Sequence, residues 1–185
     1  MDDADTPTRN EHTGLTVWFT GLSSAGKTTL SDAVSIHLKK LGCRVEQLDG
    51  DIVRQRLSLG LGYDRKDREE NLRRIGFVAE MLSHHQVIVL VSAISPYRAI
   101  RAEMRGKCRP FIEVYVDAPL KVCEERDRKG IYKRAREGEL RHITGIDDPY
   151  EPPLFPEVSC HTDRETVEES AARVLEVILE KLRAK

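Results

Sequence analysis

No run of apolar residues in this 185-residue chain approaches the ~20 needed to cross a bilayer, so a membrane-spanning protein is not expected. Excess charge is missing too. Thirty Lys and Arg against 31 Asp and Glu leave a formal net charge of −1, which argues against a nucleic-acid partner held by bulk charge while leaving a local basic patch open. Cysteine is sparse. Cys43, Cys108, Cys123 and Cys160 lie far apart with no CxxC pair, which speaks against a disulfide framework or a zinc site and for a reducing cytoplasm. The opening "MDDADTPTRNEHT" has no apolar segment of the signal-peptide kind; residues 1–13 are expected to be a disordered tail before one domain over 14–185. That length buries a core without staples. There is no internal repeat.

What is present is alternation. Strand-length apolar runs at 15–20, 43–49, 87–94 and 111–118 take turns with helical patterns at 27–42, 68–85, 96–106 and 119–128. A short edge strand at 157–162 and a helix at 164–184 close the chain. Near-continuous apolar strands alternating with helices predict an α/β fold whose parallel sheet is covered on both faces. Residues 129–156 show no strand and no clear amphipathic core face, and are expected to be a mobile excursion of the kind that forms lids.

"GLSSAGKT", residues 21–28, fits G-x-x-x-x-G-K-[ST], and it follows a strand and opens a helix. Gly21 and Gly26 let the backbone curl so that its N–H groups, from Ser23, Ser24 and Ala25 through Thr28 and Thr29, face an anion at a helix N-terminus. Lys27 can reach the β- and γ-phosphates of a nucleoside triphosphate, and the Thr28 hydroxyl can hold Mg²⁺. ATP and Mg²⁺ are the cofactors this motif calls for.

"LDGDIVR" then leaves the second strand with two carboxylates, Asp49 and Asp51, and brings up Arg54 one helical turn later. Carboxylates so spaced bind a metal, move a proton, or cap a helix. With the second strand expected beside the first, both would face the γ-phosphate at the carboxyl edge of the sheet. There a carboxylate can take a proton from an attacking hydroxyl or hold the metal's water shell. Arg54 suits an anionic group on the acceptor. The competing role makes Asp51 an N-cap and Arg54 a solvated charge. The strand-end position favours a small acceptor, and a kinase over a switch GTPase.

The segments "GLSSAGKTTL", "LDGDIVR", "LGYDRKDREENLRRIGFVAEML", "ISPYRAIR", "KGIYKRAREGEL" and "TGIDDPYEPPLFPE", in that order, resemble the adenylylsulfate kinase family from about residue 14 onwards. The resemblance implies a P-loop kinase fold with about five parallel strands and a lid at about 129–150. It also implies transfer of the ATP γ-phosphoryl group to the 3′-hydroxyl of adenosine 5′-phosphosulfate, in a homodimer. By position it assigns acceptor binding to Asp51, Arg54, Tyr63, Arg68, Asn71, Ile94, Ser95, Lys129, His142 and Ile143. Lys27, Asp51 and Ser95 become the catalytic set, and Thr28 and Asp49 the metal set.

Several of these assignments also follow from the residues. Arg68 and Asn71 share a helix face near its start, where the dipole welcomes an anion. Tyr63, in a glycine-rich loop, can lay its ring on a purine or simply close over the core. Lys129, with Lys133, Arg134 and Arg136, forms a basic stretch that closes over phosphates or is a solvated face. The family's serine at Ser95 is often given as a phosphorylated intermediate. Phosphoryl transfer to a hydroxyl needs no protein nucleophile, so Ser95 is read mainly as a substrate-binding hydroxyl or backbone contact, a structural role being the other option.

The chain departs from the family pattern at Ser24 and His142, where glycine is usual, and at Ile52, where asparagine is usual. Tyr63 replaces a phenylalanine. Ile143 replaces the aromatic that flanks adenine, a loss of about 1 kcal/mol of stacking. Two other functions fit the same motifs: a kinase for another small hydroxylated metabolite, and a catalytically weak nucleotide-binding module that regulates a partner.

Overall fold

The computed structural model describes residues 14–183; the tail expected over 1–13 lies outside them. Five strands form one parallel sheet: β1 (Leu15–Thr20), β2 (Val45–Asp49), β3 (Ile88–Ser92), β4 (Phe111–Asp117) and β5 (Val158–His161), in the order β2-β3-β1-β4-β5. The second strand is therefore not beside the first, as expected from the sequence; β3 lies between them. The reason is burial. All five residues of β3 are buried, as an interior strand requires, whereas β2, "VEQLD", exposes its second and third residues and suits an edge.

Side chains of β1 alternate between two cores. Leu15, Val17 and Phe19 join a cluster with Leu30, Val34 and Leu38 of α1 (Lys27–Lys40) and Ala171, Val174 and Ile178 of α7 (Val167–Arg183). Trp18 faces the opposite cluster, with Leu72, Ile75 and Ala79 of α3 (Arg65–His84) and Ile100 and Met104 of α4 (Arg98–Lys107). The four-residue spacing of Leu30, Val34 and Leu38 is what makes 27–40 one helix with one buried stripe.

Helix boundaries follow caps that the apolar pattern does not reveal. Helix α3 begins three residues before its expected start because the Asp64 side chain accepts from the Asp67 amide at 2.9 Å. Pro96 lies ahead of α4, whose N-cap position is Tyr97. Two short helices were not delimited from the sequence: α2 (Gly50–Leu57) and, after α5 (Leu120–Arg126), α6 (Ile131–Arg136). The second corrects the reading of 129–156 as lacking any core face: Tyr132, buried in the first cluster, anchors it, and its hydroxyl donates to the Ser23 carbonyl at 3.2 Å. Among the described residues no helix is long and apolar enough to cross a membrane, and all four cysteines are free thiols.

Candidate active site

The carboxyl ends of the strands open into a cavity of about 1030 Å³. Its floor at one end is the phosphate loop. A Cβ at Gly21 would sit 2.3 Å from the Val116 carbonyl oxygen, so only glycine lets the loop leave β1 this close to β4. Gly26, with φ 104°, turns the chain into α1 as its N-cap residue. Ser23, Ser24, Gly26, Lys27, Thr28 and Thr29 line the cavity; Gly21 and Ala25 are buried beneath them. The Lys27 ammonium donates to the carbonyls of Leu22 (2.6 Å) and Gly21 (3.1 Å). Burial pushes its pKa from the ordinary 10.5 down to about 8, against the opposing pull of the Asp51 carboxylate.

The two aspartates divide the roles that their spacing left open. Asp49 ends β2 and caps α2, accepting from the amides of Asp51 (2.9 Å) and Ile52 (3.4 Å). Its other oxygen accepts from the Thr28 hydroxyl at 2.9 Å. Capping therefore falls to Asp49 rather than Asp51. The Asp51 carboxylate is left free of the backbone and pairs with Lys129, which reaches across from the segment before α6. Asp51, Asp49 and Lys129 all line the cavity.

At the far end, Arg54 of α2 donates to the carbonyls of Gly62 (2.6 Å) and Leu61 (3.4 Å) and lies 4.6 Å from the Tyr63 ring centroid. Arg68 of α3 stands 5.7 Å from the same ring and donates to the Tyr63 carbonyl at 2.7 Å and to the His142 carbonyl. Neither guanidinium has a carboxylate ion pair among the described residues. Burial and the Arg54 charge both lower the pKa of Arg68, burial the more. Asn71, one turn on, is buried with its Oδ1 unpartnered among the described residues.

Ile94 and Ser95 follow β3. The Ile94 carbonyl accepts from the Thr20 hydroxyl at 2.7 Å. Ser95 adopts a left-handed φ of 49°, held by Arg101, which donates to its carbonyl at 2.6 Å while paired with Glu113 at 2.7 Å and bound to the Glu151 carbonyl at 2.6 Å. The Ser95 hydroxyl is buried and accepts from the Trp18 indole N–H at 2.8 Å. That geometry suits a positioning role, not an exposed nucleophile. Ile143 lines the cavity while packing on the first core cluster. The His142 side chain does not line the cavity; it turns towards Asp148 at 3.6 Å, and it is the His142 carbonyl that serves the site, through Arg68.

Other lining residues could not be found from the sequence because distant segments supply them. Arg126 of α5 donates to the hydroxyl (3.2 Å) and carbonyl (2.5 Å) of Thr162, just past β5, and the Thr162 hydroxyl donates to the Ala25 carbonyl at 2.7 Å. With Arg134 and the start of α7 they form a wall on the phosphate-loop side. Ser92 and Thr144 also line the cavity, each with a buried hydroxyl that has no partner among the described residues. Among the described residues no three His, Cys, Asp or Glu side chains cluster to cage a metal. Thr28 and Asp49 instead offer two hard oxygens beside the loop, a set that suits Mg²⁺ arriving on phosphates.

A family model described as adenylylsulphate kinase matches residues 13–161. The chain is 62% identical over 171 residues to the adenylyl-sulfate kinase of Synechococcus sp. (strain JA-3-3Ab), covering 92% of this chain and 95% of that one. Its fold matches the Mycobacterium tuberculosis APS kinase CysC solved in complex with AMPPNP and APS, with a TM-score of 0.86 and 41% identity over 91% of this chain and 99% of that chain. It is also similar to the hexameric APS kinase from Thiobacillus denitrificans, at TM-score 0.70 and 32% identity, over 95% of this chain and 30% of that much longer one.

Proposed function

The chain belongs to the adenylylsulphate kinase family, and on that footing we propose that it transfers the γ-phosphoryl group of ATP to the 3′-hydroxyl of adenosine 5′-phosphosulfate, giving ADP and 3′-phosphoadenylyl sulfate. The observation that carries this reading is a single cavity with a phosphate loop at one end and, at the other, two guanidinium groups without a carboxylate ion pair among the described residues. Its volume has room for two ligands.

In this reading Lys27 leaves the Leu22 and Gly21 carbonyls for the transferring phosphoryl group, and the loop amides from Ser23 to Thr29 stabilise the same charge. Thr28 and Asp49 would hold Mg²⁺, whose contribution is to neutralise charge on the phosphates. Asp51 exchanges its Lys129 partner for the acceptor: it accepts the 3′-hydroxyl proton as that oxygen bonds to the γ-phosphorus and the bond to the ADP oxygen breaks. Lys129 is then free to meet the phosphates.

Arg54, Arg68 and Asn71 bind the phosphosulfate side, while Tyr63 and Ile143 flank the adenine. Ile94 and Ser95 shape the pocket wall, with Ser95 acting through its fixed backbone. Residues 129–150 serve as the lid, excluding water as a competing acceptor. The exposed apolar side chains of Leu57, Phe77 and Met81 support self-association as a homodimer. Free thiols and a need for ATP support a place in the cytoplasm.

The test is ADP release measured over a panel of acceptors. Adenosine 5′-phosphosulfate should be the preferred one by orders of magnitude in kcat/KM. Preference for a sugar or another hydroxylated metabolite would replace the substrate, and tight nucleotide binding with no turnover on any acceptor would replace the enzyme with a binding module.

A further inference from the structure

In many P-loop proteins a carboxylate at a strand end joins the loop Ser or Thr in holding Mg²⁺. Here the carboxylate comes from β2, at the sheet edge, while β3, directly beside β1, ends in Ser92. Ser92 is in register with Asp49 on one side and Phe19 on the other. Parallel partners in register share a face of the sheet. Phe19 and Leu90 face the cluster that holds α1, so the Ser92 side chain points to that face too, where Asp49 meets Thr28. Only 6% of Ser92 is exposed; it lines the cavity, and its hydroxyl has no hydrogen-bond partner among the described residues.

A buried hydroxyl left unpaired destabilises a fold, so such groups nearly always have a partner. Of the other unpartnered hydroxyls and amides, Thr16 and Ser58 do not line the cavity, and Asn71 and Thr144 belong to the acceptor end. We infer that the Ser92 hydroxyl is a positioning residue for the metal: it binds a water of the Mg²⁺–nucleotide complex and fills, as a neutral group, the strand-end place that a carboxylate would otherwise take. The negative charge stands one strand farther out, on Asp49. This inference rests on the nucleotide half of the proposed function.

It can be tested without turnover, by titrating Mn²⁺, which like Mg²⁺ prefers oxygen ligands, into protein saturated with a non-hydrolysable ATP analogue, with bound Mn²⁺ followed by electron paramagnetic resonance. In S92A the Mn²⁺ affinity should fall about tenfold, the lower end of the range for outer-shell partners of a metal. Binding of the analogue without metal should be unchanged. S92T, which keeps the hydroxyl, should stay within about twofold of the native protein. Native Mn²⁺ affinity in S92A overturns the inference. Equal losses in S92A and S92T also overturn it, because the effect would then belong to packing. If the native protein itself fails to bind the analogue, the nucleotide site of the proposed function falls, and that result is distinct from either of the others.

Discussion

At the phosphate-loop end of the cavity one run of eight residues, Gly21 to Thr28, supplies the anion cradle, whereas the acceptor end draws on α2, the loop before α3, α3 itself, Ile94 and Ser95 after β3, and residues 140–144. At the first end the Lys27 and Thr28 side chains are engaged before any ligand arrives, Lys27 on two carbonyls and Thr28 on Asp49, with the Ser92 hydroxyl beside them left open. The second end is more open. Arg54 and Arg68 crowd one tyrosine ring with no carboxylate ion pair among the described residues, and Asn71 and Thr144 hold buried polar atoms without partners. A preformed cradle fits any nucleoside triphosphate. Buried positive charge without a directly paired carboxylate, together with unfilled hydrogen bonds, is where a particular anionic acceptor is selected, because that acceptor relieves both costs.

The contrast can be broken or sharpened by variants that act on one end alone. Asp51→Asn keeps size and hydrogen bonding but removes the proton acceptor. It should lower kcat by about 10²–10⁴ while MgATP binding stays nearly intact. A kcat within a few-fold of native would remove Asp51 from the chemistry, and loss of ATP binding would move it to the phosphate-loop end. Arg68→Ala should cost about 1.5–3 kcal/mol in kcat/KM for the acceptor, the range for a hydrogen bond to a charged group, and little in KM for ATP. The reverse pattern would exchange the two ends.

Protonation gives a smaller effect, confined to the phosphate-loop end. The unliganded Lys27 has its pKa lowered to about 8, and bound phosphates favour its charged form and raise that value. Affinity for ATP is therefore fully present below pH 8 and falls as pH rises through it, by up to about tenfold between pH 8 and 9, measured by calorimetry. For the unliganded fold the sign is opposite: the unfolded chain binds the Lys27 proton more tightly, so stability increases as pH rises from 8 towards 10.5. The smallest change should come from Ser24→Gly and His142→Gly, one at each end. Both residues hold left-handed φ values, 59° and 61°. Releasing either should stabilise the fold by about 0.5–1 kcal/mol in thermal unfolding, after the extra backbone entropy of glycine is counted.

Those two dihedral angles also explain why the family usually has glycine at 24 and 142, something that the sequence displayed as a departure without its cause. Legibility followed contiguity. The phosphate loop, the strands and the large helices could be read because each is a local pattern: a contiguous motif, a short apolar run buried on both faces, or a helix with one buried stripe. The order of β2 and β3 depended on which strand could tolerate an edge, and was misread. Helix α6 was missed because six residues with a single buried tyrosine carry too little period to detect. Asp49 and Asp51 were recognised as a pair, but which of them caps α2 depended on backbone geometry. Arg126, Thr162, Ser92 and Thr144 left no signal, since each becomes part of the site only when segments far apart in the chain converge.

Trp18 is the only tryptophan in the chain. It is fully buried, stacked at 6.0 Å on Phe111, and its indole N–H is bound to the Ser95 hydroxyl at the wall of the acceptor end. Indole emission depends on the polarity around the ring and on the hydrogen bond of its nitrogen. The chain thus carries a native fluorophore wired to the pocket wall: a nucleotide confined to the phosphate loop should leave its colour alone, while an acceptor that shifts Ser95 should change it, so that the order in which the two ends fill can be followed by light without any label.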